Sequence, residues 1–213
     1  MLQCSTSLWS ADLTNLEREI KRVEPYSGRF HIDVADGHHS PTLLFFPDLV
    51  KQMRAHTDRP FEVHLMTTDP DFWLDPFIEA GSNLILFHLD SIKDPGRMID
   101  GIHTKGNQAG IALTLEEDVA VLEPYWDRLD MVTLITTQVG IKGADMDPGI
   151  PDKIRQTRET ITRKNLSTLV QVDGAIRRHT VPLYHAAGAD WIVPGSLMFN
   201  EDPDEIQKWL KSL

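Results

Sequence analysis

Short apolar runs alternate with amphipathic stretches eight times along this chain, and that alternation constrains its fold more than any other feature of the sequence. Leu2–Leu8, the run around His31 and Asp33, Phe61–Met66, Leu84–His88, Ala109–Thr114, Met131–Thr136, Thr168–Asp173 and Trp191–Val193 have strand length and strand composition. The segments between them space their apolar residues three or four apart, the period of a helix with one buried face. Strand followed by helix, repeated, predicts parallel βαβ units. Eight pairs in 213 residues predict a single (β/α)8 TIM barrel over 1–213, because closure removes the two exposed edges that an open doubly wound sheet would keep.

The helical segments carry their own signals. Ser10 is the expected N-cap of a helix whose Leu13, Leu16, Ile20 and Val23 fall on one face, and Pro47 opens one carrying Leu49, Val50 and Met53. Asp69-Pro70 starts a third, which Pro76 is expected to bend or interrupt. Further helices are expected around Met98–Ile102, over Val119–Trp126, over Ile154–Ile161, around Val181–Tyr184 and around Ile206–Leu210. Thr137–Pro148, with Gly140, Lys142 and Gly143, is the longest connection without helical signal, and a loop of that length usually binds something. Glu79–Asn83 and Ala186–Asp190 echo one another before the fourth and eighth strands, as a repeated architecture would.

Chemistry concentrates at the strand ends. On a strand, side chains alternate faces, so His31 and Asp33 share one side and Ile32 and Val34 the other. Asp36-Gly37 ends that strand in a turn, which places the His/Asp pair at the rim where α/β barrels carry their active sites. His64 and Asp173, the latter stopped by Gly174, end two further strands. Two imidazoles and two carboxylates suit a divalent transition ion such as zinc, iron or manganese better than calcium or magnesium. Two carboxylates facing a metal also suit proton transfer: one removes a carbon-bound proton, the metal stabilises the enediolate, and the other returns a proton from the opposite face. That is an epimerase.

The same residues resemble the ribulose-phosphate 3-epimerase family along nearly the whole chain, most specifically in Ser7–Asp12, His31–His38, Val63–Met66 and Val172–Gly174. The resemblance implies a (β/α)8 barrel of the ribulose-phosphate-binding type that interconverts ketopentose 5-phosphates at C3. It implies His31, Asp33, His64 and Asp173 as metal ligands, Asp33 and Asp173 as the acid/base pair, and Ser7 and His64 beside the sugar. Gly140, Gly143, Gly174, Gly195 and Ser196 remain of the family's phosphate-binding set, and Lys142 adds a charge there. The chain departs from the family where two methionines of its apolar lid are Ala35 and Ile135, leaving Met66, and where the second glycine of Asp-Gly-Gly is Ala175. A related ketohexose 6-phosphate is therefore an alternative substrate, and a non-catalytic sugar-phosphate-binding barrel an alternative function. A decarboxylase of related fold is excluded, because Glu62–Met66 lacks the lysine such enzymes carry on this strand.

With 21 Lys+Arg against 32 Asp+Glu the net charge is −11, and no basic block interleaves with aromatics, so nucleic acid is not an expected partner. No apolar run nears the ~20 residues that span a bilayer and no targeting segment stands out, so a cytoplasmic protein without membrane contact is expected. Cys4 has no disulfide partner and is expected as a small buried hydrophobe, while His38 and His39 are expected at the surface. A homo-oligomer stays open.

Overall fold

A computed structural model describes residues 2–213. Its strands are β1 (Gln3–Ser7), β2 (Arg29–Asp36), β3 (Leu43–Leu44), β4 (Phe61–Met66), β5 (Leu84–His88), β6 (Gln108–Leu113), β7 (Met131–Ile135), β8 (Leu169–Asp173) and β9 (Trp191–Val193). The sheet order is β1-β9-β8-β7-β6-β5-β4-β2-β3, and β1 also pairs with β2, which closes the parallel strands into a barrel. Only β3 stands outside it, an antiparallel two-residue ribbon against Ala35 and Asp36 that the sequence did not announce. The expected (β/α)8 architecture is thus the one observed.

Helices α1 (Leu16–Val23), α2 (Pro47–Met53), α3 (Pro70–Glu79), α4 (Pro95–Thr104), α5 (Ile150–Lys164), α6 (Val181–Ala187), α7 (Ser196–Asn200) and α8 (Pro203–Leu210) form the outer layer. Three expectations are corrected. Val119–Trp126 forms no α-helix: 3-10 turns cover Val119–Leu122 and Trp126–Arg128, because Pro124 between them has no N–H to carry a helical hydrogen-bond ladder across the stretch. Ser10 is not an N-cap. The Asp12 carboxylate accepts from the Thr14 N–H and from the Thr14 and Asn15 side chains, which holds Leu13–Asn15 as a 3-10 turn and delays α1 to Leu16. Pro76 does not interrupt α3, since Ala80 N–H still donates to the Pro76 carbonyl and Leu74 and Phe77 anchor the helix in the core.

The echoed segments share a function in the fold. Gly81 and Gly188 turn the chain with φ of +96° and +108°, which L side chains rarely adopt. Two residues after each glycine, the Asn83 Oδ1 accepts from Phe61 N–H at 2.9 Å and the Asp190 Oδ2 from Val170 N–H at 2.8 Å, each tying the start of a strand to the segment that leads into its barrel neighbour.

Alternation then separates two interiors. Phe30, Ile32 and Val34 of β2 join one large apolar core between sheet and helices, together with Phe61, Val63, Leu65, Ile85 and Phe87. Inside the barrel, Leu84, Leu86 and Met131 make a small apolar cluster of their own. Gly110 is required there, because a Cβ would meet the Leu86 Cδ2 at 2.4 Å. Above this plug the barrel interior becomes polar. No helix among the described residues is long and apolar enough to cross a membrane.

Candidate functional site

Register brings the predicted ligands together. Asp33 pairs with His64 across β2 and β4, Ser7 with His31 across β1 and β2, and Ile135 with Asp173 across β7 and β8. One donor atom from each of His31, Asp33, His64 and Asp173 lies within 4.8 Å of all the others. The His31 Nε2 is 3.3 Å from both the Asp33 Oδ1 and the His64 Nδ1, and the Asp173 Oδ2 is 3.6 Å from both imidazoles. Ligands about 2.1 Å from a transition ion stand roughly 3.0–3.4 Å apart at octahedral or tetrahedral corners. The residues therefore fit a divalent ion with small adjustments.

Electrostatics agree with that fit. Burial opposes charge on His31, yet Asp33, Glu62 and Asp173 around it raise its pKa well above the usual imidazole value. Buried carboxylates thus draw a positive charge to this spot, which a divalent ion would supply. His64 is held neutral by burial and by the charge of His31, the form a ligand needs. Burial pushes the Asp173 carboxyl up to about 7 against the pull of His31, with Asp33 and Glu62 adding to the rise.

Two further residues, Glu62 and His88, shape the site and were not assigned from sequence. Glu62, fully buried, accepts from His31 Nδ1, from Ser5 at 3.0 Å, from Arg29 at 3.2 Å and from Gln171 at 2.8 Å. It fixes the ring of His31 so that Nε2 faces the other ligands. Burial opposes its charge, but His31, Arg29 and Gln171 hold its pKa below the usual range. Glu62 stands two residues before His64 on one strand, the same spacing as His31 and Asp33, so its inward face was readable. His88, at the end of β5, meets the His64 Nε2 through its own Nε2 at 2.8 Å.

A cavity of about 270 Å³ opens above the tetrad. Asp33, His64 and Asp173 form its floor, and Ser7, Gly140, Gly143, Gly174, Gly195 and Ser196, all singled out from sequence, line its walls. His31 lies beneath, sealed from the cavity. The Ser7 Oγ donates to the Asp33 Oδ2 at 2.6 Å. Met66 and Ile135 line the cavity, whereas Ala35 lines a separate apolar cleft under Leu43 and Phe46. Ala175 keeps φ at +46°, so the turn after Asp173 retains a left-handed backbone although a side chain now occupies it.

Two cations close the rim. Lys142 donates to the Trp9 carbonyl at 3.2 Å and lies over its ring, and Arg177, unremarked in the sequence, donates to the Gly143 and Ala144 carbonyls at 3.3 and 3.4 Å. Both line the cavity. Cys4 is buried, and burial raises its thiol to about 12. His38 is exposed as expected, but His39 is largely covered, paired with Asp90 at 3.0 Å. The Asp36-Gly37 turn forms as expected, with the Asp36 carboxylate accepting from the His38, His39 and Thr68 N–H groups.

Comparison with known proteins agrees with this geometry. In fold, the chain is similar to 3-hexulose-6-phosphate synthase from Salmonella typhimurium, with TM-score 0.73 at 17% identity over 99% of each chain. In sequence it is 34% identical to a ribulose-phosphate 3-epimerase of Bacillus subtilis over 94% of each chain. It is also 34% identical to a ribulose-phosphate 3-epimerase of Schizosaccharomyces pombe over 97% of this chain and 91% of the other. The profile described as the ribulose-phosphate 3 epimerase family matches residues 3–199. With that match over nearly its whole length, this chain belongs to the ribulose-phosphate 3-epimerase family, a family of carbohydrate epimerases.

Proposed function

We propose that this protein is a divalent-metal-dependent 3-epimerase of a phosphorylated ketose, with ribulose 5-phosphate and xylulose 5-phosphate as the pair it interconverts. The observation that carries the reading is the gathering of four donor atoms within 4.8 Å of one another, three of them from residues lining one cavity and two of them carboxylates from the non-adjacent strands β2 and β8. His31, Asp33, His64 and Asp173 would hold a zinc, iron or manganese ion, with Glu62 orienting His31. When bound, such an ion supplies the positive charge that stabilises the enediolate oxygens.

The chain's own groups move the proton. A carboxylate oxygen of Asp33, oriented by the Ser7 hydroxyl, takes the proton from C3, and the C–H electron pair becomes the C2–C3 double bond of the enediolate. Asp173, which starts this direction of the reaction protonated, delivers its proton to the other face of C3, and the carbonyl re-forms with C3 inverted. Asp33 ends protonated and Asp173 ionised, so the reverse reaction uses the same pair with roles exchanged. The phosphate fits the opposite wall, where Gly174, Gly195 and Ser196 present backbone without bulky side chains. Lys142 and Arg177 add charge at that rim.

Turnover in deuterium oxide tests the reading directly. Protein loaded in turn with zinc, iron or manganese is expected to place one deuterium at C3 of ribulose 5-phosphate, and chelator-stripped protein none. Exchange with a ketohexose 6-phosphate alone would move the substrate assignment, and no exchange across the panel would leave a non-catalytic binding barrel.

A further inference from the structure

We propose that His39, His88 and Asp90 form a second site for a divalent transition ion, adjoining the tetrad.

The site is built from side chains already in place. One donor atom from each of His39, His88 and Asp90 lies within 4.8 Å of the other two. The rings of His39 and His88 stand 4.9 Å apart between centroids, and His39 Nε2 is 3.0 Å from the Asp90 Oδ1. Two imidazoles and a carboxylate match the ligand types of open transition-metal sites, with remaining positions left for solvent. Asp90 is exposed, which gives an ion a way in.

The second observation is an unmet valence. His88 is fully buried, and its Nδ1 has no hydrogen-bond partner among the described residues; nor has the Nδ1 of His39, whose side chain is 10% exposed. A buried nitrogen left without a partner is costly, so such atoms are rare and call for an explanation. An ion held by the His88 Nδ1 supplies one.

The second site adjoins the first, since the Nε2 atoms of His64 and His88 are 2.8 Å apart.

Zinc titration of the chelator-stripped protein, followed by calorimetry and by equilibrium dialysis with metal analysis, tests the site. The expected result is a tight step and a weaker one, reaching two ions per chain. His39→Gln and Asp90→Asn should each remove the weaker step and leave the tight one within twofold. Asp33→Asn should remove the tight step and leave the weaker one in place. A single ion per chain at all zinc concentrations overturns the second site, as does a weaker step that survives in both His39→Gln and Asp90→Asn. A weaker step without any tight one would instead sink the tetrad assignment.

Discussion

The two faces of β2 are buried alike and built from opposite chemistry. Phe30, Ile32 and Val34 face the helices with 0, 0 and 4% exposure, and His31 and Asp33 face the barrel axis with 0 and 4%. Outward, each side chain needs only volume, and its neighbours are other hydrocarbons. Inward, each polar atom needs a named partner, and the partners come from β1, β4, β5 and β8. Burial alone therefore says nothing of role. The outer face should govern stability, and the inner face chemistry.

Substitutions on the two faces can break that division. Asp173→Asn should fold with unchanged secondary structure and stability near wild type, yet lose C3 exchange by about 10²–10⁴-fold, the usual weight of a positioned acid/base. Retained turnover would remove Asp173 from proton transfer. Phe87→Ala, on the outer face of β5, should cost about 3–5 kcal/mol in denaturant unfolding while kcat per folded molecule holds. A kcat loss as large as the stability loss would mean the faces are not separable.

Smaller effects sharpen the comparison. Glu62→Gln keeps the size of the side chain but removes the charge that orients His31, and should weaken metal binding about 10–100-fold, read by dialysis against a chelator series. Unchanged affinity would make Glu62 a filler of the barrel rather than a support for the site. At the rim, Lys142→Ala should raise KM for the phosphorylated substrate severalfold with kcat little changed, since it removes binding felt equally by ground state and transition state. An unaltered KM would return Lys142 to its contact with Trp9 as a surface feature.

Much of this was legible because it depends on local period. Short strands with helical spacing between them, and His31 two residues from Asp33, are facts of sequence that survive any tertiary arrangement consistent with βαβ units. The misjudged stretches failed for local reasons that competed with period: Pro124 overrode the apolar spacing of Val119–Trp126, and Asp12 captured the donors that Ser10 was expected to cap. Glu62 and His88 went unassigned for a different reason. Each sits among apolar residues of its strand, and its meaning lies in a histidine on a neighbouring strand, His31 for Glu62 and His64 for His88.

By itself, then, the sequence determined the eightfold repeat, the inward face of each strand and the identity of the four residues that could hold an ion, since side-chain alternation is a property of each strand alone. Only closure decided the rest. Barrel register set which strand ends share a level, and so brought Asp33 beside His64, Asp173 within reach of both, and His88 behind them. Distances between residues 140 positions apart are set by how neighbouring strands stagger, and no local pattern records that stagger.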